Sequence, residues 1–151
     1  MRVRTSTGGR LTQGGGRGGK GCKLNQIQAR GKRVLLVEDE IALVLSLQLQ
    51  LREMGFQVIG PAATLHTGLD LAEREDLDGA LLDVNLRGER SFPIAERLRA
   101  RGVPVIIMTG YGRAILPHRL RALPFLAKPF APDELEIMVR RVFRNGAAVA
   151  I

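Results

Sequence analysis

From Arg33 onward, short apolar runs alternate with stretches whose apolar residues recur at helical spacing. The runs "RVLLV" (33–37), "FQVIG" (56–60), "GALLD" (79–83), "VPVIIMT" (103–109) and "PFLAK" (124–128) are predicted strands. Between the first two lies "DEIALVLSLQLQLREMG", a predicted helix closed by Gly55. "TLHTGLDLAERE" (64–75) is the next, with Thr64 as N-cap, and "SFPIAERLRARG" (91–102) ends at Gly102. The last, "APDELEIMVRRVFRNG" (131–146), has Pro132 early and Gly146 as its stop.

One stretch carries two periods at once. Leu43, Leu45, Leu47, Leu49 and Leu51 alternate as a strand would, while Val44, Leu47, Leu51 and Met54 fall on a helical stripe. Parallel strands need a crossover at this point, so helix is the assignment. Ile41, Leu45 and Leu49 are then left off the stripe as an apolar outer edge. Five short apolar strands separated by helices predict an α/β fold, a parallel sheet covered by helices on both faces. In such sheets the working groups collect at the carboxyl ends of the strands. Between strands four and five, "RAILPHRLRALP" (113–124) is short and carries Pro117, so a helix there is expected to be stunted or absent.

Length and charge add detail. A chain of 151 residues suits one domain with a real core. The net charge of +8 belongs wholly to residues 1–32, which hold eight Lys or Arg and no acid; residues 33–151 hold fifteen of each sign. That basic tail has nine of the eighteen Gly and few apolar residues, so it is expected to be disordered. Without interleaved aromatics to stack bases, it does not make nucleic acid an expected partner. It has no apolar signal core, and no run is long enough to span a bilayer. Cys22 is the single cysteine, which excludes an internal disulfide, and the expected location is the cytoplasm. His66 and His118 lack ligand spacing and read as surface residues.

The candidate chemistry lies where the strands end. An acid closing a buried run, as Asp83 closes "GALLD", costs desolvation unless a cation sits beside it. Strand one ends in Glu38-Asp39-Glu40, strand four in Thr109 and strand five in Lys128. Clustered carboxylates repel unless a cation holds them. Asp39 and Asp83, with a backbone carbonyl and water, suit a hard dication, Mg²⁺, and Lys128 is the second cation. A carboxylate so placed can attack a phosphoryl group, with the metal, the ammonium and the Thr109 hydroxyl offsetting charge on the transferred oxygens.

The pieces "VLLVEDE", "LLDVNLRG", "VIIMTGYG" and "FLAKPF" resemble the receiver domain of two-component response regulators. The resemblance runs from residue 33 to about 145, and the closing "AAVAI" is expected to be a short tail with no output domain. It implies a flavodoxin-like fold, phosphorylation of Asp83 by a histidine kinase or histidine phosphotransfer protein, and dependence on Mg²⁺. It places Glu38 and Asp39 in the acid pocket, the second as direct ligand and the first through water, and makes Asn85 the donor of a metal-binding backbone carbonyl. Thr109 and Lys128 match the switch hydroxyl and the phosphate-binding lysine, and Phe125 the switch aromatic. Burial of Phe125 on phosphorylation would order the 110–123 loop. "TGYG" with Pro117 also resembles an alphaproteobacterial group of single-domain receivers. Asn85 and Tyr111, each two residues beyond a site residue, are expected to flank the path of hydrolytic water. The apolar edge Ile41, Leu45 and Leu49 is expected to dock a partner helix carrying phosphohistidine.

Other readings remain open. A stand-alone receiver can relay phosphate or drain a kinase as a sink. A phosphatase of the haloacid-dehalogenase type also gathers Asp, Thr, Lys and paired acids around Mg²⁺. There a second Asp follows the nucleophile by two residues, where this chain has Asn85, and the paired acids come last. Binding of nucleic acid through the basic tail is a third reading.

Overall fold

The computed structural model describes residues 31–144. The basic tail up to Arg30, the segment 146–151 and the Gly146 stop lie outside the described residues. Five strands, β1 (Arg33–Val37), β2 (Gln57–Ala62), β3 (Gly79–Asp83), β4 (Val105–Thr109) and β5 (Phe125–Ala127), form one sheet in the order β2-β1-β3-β4-β5. Every pairing in it is parallel. The helices are α1 (Ile41–Glu53), α2 (Leu65–Arg74), α3 (Phe92–Ala100) and α4 (Pro132–Arg144). The doubly wound α/β fold expected from the alternation is the one observed.

The two faces are packed differently. On one, Val44, Leu47 and Leu51 of α1 and Leu135, Val139 and Phe143 of α4 bury Leu36, Leu81 and Ile106. On the other, Ala72 of α2 and Ile94 and Leu98 of α3 cover Leu35, Leu82 and Ile107. Both central strands, β3 and β4, are buried along their whole length, which explains why their sequences read as unbroken apolar runs. The helical period wins in 41–53, because only a helix can bury the Val44-Leu47-Leu51 stripe while returning the chain to the start of β2. At α2, Thr64 is the N-cap as expected, its Oγ1 accepting from the Thr67 amide at 3.2 Å.

Strand β2 runs past its expected end at Gly60 through Pro61 to Ala62. It is an edge strand, so the missing amide of Pro61 costs no ladder bond. Gly60 sits at φ +98°, and a Cβ there would lie 2.9 Å from the Leu36 carbonyl, so glycine alone fits this irregular register.

No α-helix forms between β4 and β5, as Pro117 foretold. In its place are two single 3₁₀ turns, Arg113–Ile115 and His118–Leu120, pinned to the core by Leu116 and Leu120. Arginines satisfy the carbonyls that a helix would have used. Arg113 donates to the carbonyls of Arg121 (2.7 Å) and Leu123 (3.0 Å), and Arg121 donates to that of Leu116 at 3.1 Å. Arg99 of α3 donates to the Arg119 carbonyl.

A small antiparallel ribbon, Asn85–Leu86 with Glu89–Arg90, follows β3 directly. Its two-residue turn places Arg87 at φ 50° and Gly88 at φ 87°, the double positive φ of a type I′ hairpin. Among the described residues, no helix is long and apolar enough to cross a membrane.

Candidate functional site

The carboxyl ends of β1, β3, β4 and β5 open on one edge of the sheet, and the polar residues gather there. Glu38, Asp83 and Thr109 are the buried polar groups at these ends. Glu38 Oε1 accepts the amides of Asp39 (3.1 Å) and Glu40 (3.0 Å), while Oε2 accepts from Lys128 Nζ at 2.7 Å. The same ammonium lies 3.4 Å from Asp83 Oδ2. Asp39 uses Oδ2 to accept the Arg87 amide at 3.0 Å. Carboxylate oxygens of Glu38, Asp39 and Asp83 all fall within 4.8 Å of one another.

Three carboxylates around one ammonium leave an excess of negative charge in a half-buried place. Burial pushes the Asp83 carboxyl above the ordinary aspartate value, against the pull of Lys128 and the Asn85 amide; the charge of Asp39 adds to the rise. Burial raises Glu38 likewise, opposed by its bond from Lys128. For Lys128 burial works against the charged form, but Glu38 and Asp83 together outweigh it and hold the ammonium above the ordinary lysine value. The donor set is all oxygen and short of cations, which fits a hard divalent ion such as Mg²⁺. Glu38, Asp39 and Asp83 are the carboxylates that could hold such an ion.

The remaining expected residues take other positions. Asn85 is half-buried, two residues past Asp83 in the ribbon. Thr109 is buried, its Oγ1 accepting the Tyr111 amide at 3.1 Å, and its carbonyl accepts the Lys128 amide at 2.9 Å. The Tyr111 ring is exposed, with the Arg90 guanidinium 5.8 Å from its centroid. Phe125 is not among the acids: half-buried, it packs on the α2–α3 side with Arg113 4.9 Å over its ring. Ile41, Leu45 and Leu49 are exposed on α1, at 76%, 62% and 59% of their surface, and Ile41 opens the helix two residues after Asp39.

Sequence reasoning missed three participants. The Arg87 amide on Asp39 was announced only by the turn glycine in "LRGER". Ser91, fully buried, donates to the Asp83 carbonyl at 2.5 Å. Arg113 binds through its side chain to the 3₁₀ segment between β4 and β5, and nothing in its sequence context signals that.

A doubly wound sheet with an acid–lysine pocket at its carboxyl edge defines a narrow class of proteins. Residues 34–140 match the response regulator receiver domain family, and the chain belongs to it. It is 36% identical to the transcriptional regulatory protein CusR of Escherichia coli K12, over 79% of this chain and 54% of that protein. It is 29% identical to the transcriptional regulatory protein PdtaR of Mycobacterium tuberculosis H37Rv, over 78% of this chain and 61% of that one. The chain thus spans between half and two thirds of the curated relatives it matches. Among solved structures, SdrG from Sphingomonas melonis Fr1 is 35% identical with a TM-score of 0.64, covering 74% of this chain and 94% of that one. The receiver domain of the sensor histidine kinase PA1611 of Pseudomonas aeruginosa PAO1 is 29% identical with a TM-score of 0.63, covering 75% and 98%. That receiver holds a magnesium ion in its active-site cleft.

Proposed function

We propose that this receiver accepts a phosphoryl group on Asp83 from a histidine kinase or histidine phosphotransfer protein. An Asp83 oxygen bonds to phosphorus as the N–P bond of phosphohistidine breaks, and the freed imidazole nitrogen takes up a proton. The observation that carries this reading is the placement of Lys128, 2.7 Å from Glu38 and 3.4 Å from Asp83, beside a third carboxylate, Asp39. Asp39, Asp83 and the Asn85 carbonyl would hold Mg²⁺, with Glu38 acting through water. When bound, the ion offsets charge on the transferred oxygens. Lys128 pairs with the phosphoryl group, and the Thr109 hydroxyl turns from the Tyr111 amide to donate to it. Movement of Thr109 lets Phe125 pass from half-buried to buried, altering the 110–123 segment that Arg113 holds.

The partner helix docks on Ile41, Leu45 and Leu49, a ridge that begins beside Asp39 and so brings a phosphohistidine close to Asp83. Residues 33–145 constitute the receiver unit, with flanking tails at 1–32 and 146–151. The chemistry is confined to its own phosphorylation and dephosphorylation, in the cytoplasm, and the signal passes by protein contact, by relay, or by draining a kinase. Phosphotransfer from a panel of labelled histidine kinases tests the reading, with Asp83→Asn as control. A label on the wild type that alkali and hydroxylamine both remove, and that Asp83→Asn lacks, is the expected result. No label from any kinase or from acetyl phosphate, in Mg²⁺, would overturn it.

A further inference from the structure

Ser91 stands at the N-cap position of α3, where a serine hydroxyl ordinarily accepts from a helix amide. Here it makes no such bond. The Ile94 amide goes to the Ser91 carbonyl at 3.0 Å, and Pro93 removes one donor that a cap would have served. The hydroxyl is turned backward instead and donates to the Asp83 carbonyl at 2.5 Å, with no exposure to solvent. A good local interaction has been given up for a distant one, which marks a site where function overrides local preference.

The reason lies in the end of the sheet. The β1–β3 ladder stops at Val37 and Leu82, one residue short of Asp83. The carbonyl of Asp83 would then be a buried acceptor without a partner. Ser91 supplies the partner, and its own amide donates to the Val84 carbonyl at 2.9 Å. Two bonds from one residue therefore close the loop 84–90 at its base. That loop carries buried Leu86, the Asn85 carbonyl and the Arg87 amide that binds Asp39.

We propose that Ser91 is a positioning residue for the divalent-ion site: by holding the Asp83 carbonyl it fixes the loop so that Asn85 and Arg87 face the two aspartates. It rests on Asp83 and Asp39 sharing a divalent ion, as proposed above. It acts through Asp83 and the loop and does not itself touch the ion.

The test titrates Mg²⁺ calorimetrically into metal-free wild type, Ser91→Ala and Ser91→Thr. It also follows phosphorylation by acetyl phosphate as Mg²⁺ is varied, with far-ultraviolet dichroism as a check on folding. Ser91→Ala is expected to weaken Mg²⁺ binding about tenfold, the usual effect of losing a group that orients a ligand. The Mg²⁺ concentration for half-maximal phosphorylation rises by the same factor, and the rate at saturating Mg²⁺ matches wild type. Ser91→Thr, which keeps the hydroxyl, binds as wild type does. Should Ser91→Ala not fold, Ser91→Gly makes the same comparison, since glycine is tolerated at an N-cap. Wild-type Mg²⁺ affinity in the folded Ala or Gly variant, whatever its melting temperature, reduces Ser91 to a structural role and overturns the proposal. A wild type that binds Mg²⁺ but takes no label defeats the phosphoacceptor reading alone, and the affinity comparison still judges Ser91. A wild type that binds no Mg²⁺ sinks both.

Discussion

Lys128 reaches across the carboxyl edge of the sheet from the end of β5 to Glu38 at the end of β1, its Nζ 2.7 Å from Oε2, with β3 and β4 lying between the two strands. The ammonium spans the site and passes within 3.4 Å of Asp83 on the way. It is therefore both the counter-charge that lets two buried acids coexist and the group best placed to meet an incoming phosphoryl dianion.

Removing that charge strands its partners. Lys128→Met keeps most of the side-chain volume but leaves Glu38 and Asp83 without a cation, so the metal-free protein is expected to lose about 2–3 kcal/mol. Urea unfolding followed by circular dichroism measures it, since the chain has no Trp and one Tyr. Mg²⁺ should restore part of the loss. A variant as stable as wild type without metal would show that the three groups do not depend on one another.

The acid pair predicts a pH dependence. Burial raises both Asp83 and Glu38 above the ordinary carboxylate values, so just above those values the native state binds more protons than the unfolded chain. Stability of the metal-free protein then falls as pH rises through the raised values, and Asp83→Asn, which removes one such group, is expected to be more stable than the wild type at neutral pH. Lys128 is raised too, so its contribution persists through the ordinary lysine range and is lost only above it. Because protons compete with the metal for the same oxygens, Mg²⁺ affinity weakens as pH falls through the carboxyl window. Calorimetric titrations at two pH values decide this; equal affinity at both would put the ion elsewhere.

Packing behind the site is tight at one glycine. A Cβ on Gly79, at the start of β3, would lie 2.5 Å from ring carbons of buried Phe143 on α4. Gly79→Ala should cost about 1–3 kcal/mol through the ring it displaces. At Gly68 the obstacle is the terminal methyl of Ile94, at 2.4 Å, which a rotation can clear. Gly68→Ala also gains helix propensity and is expected to be near neutral. Thermal melts of the two variants compare them directly.

The arginine-held segment makes its own prediction. Arg113 supplies two hydrogen bonds to 113–123 and covers the Phe125 ring. Arg113→Ala should speed amide exchange at the 3₁₀ turns with the rest of the sheet unchanged. Exchange unaltered there would mean that Leu116 and Leu120 alone hold the segment.

Tyr111 tests the path of hydrolytic water. If its ring, steadied by Arg90, shields the acyl phosphate, then Tyr111→Ala shortens the phosphoryl lifetime several-fold. The decay of labelled protein reads it, and an unchanged lifetime assigns the ring to the surface.

By itself the sequence determined the order and type of the sheet's five strands and four helices, the absence of an α-helix between β4 and β5, and which residues stand at the ends of β1, β3, β4 and β5. Period and turn chemistry are local, so Pro117, Thr64 and the Val44-Leu47-Leu51 stripe could be read directly. The gathering of polar residues was legible for the same reason: parallel strands deliver their last residues to one edge, whatever the packing behind them. Tertiary structure alone decided which groups meet there. That Lys128 crosses two strands to Glu38, that the Arg87 amide binds Asp39, and that Ser91 abandons its helix for Asp83 depend on register and on a hairpin turn. Such contacts join residues up to 90 positions apart, and a one-dimensional pattern carries no term for that distance.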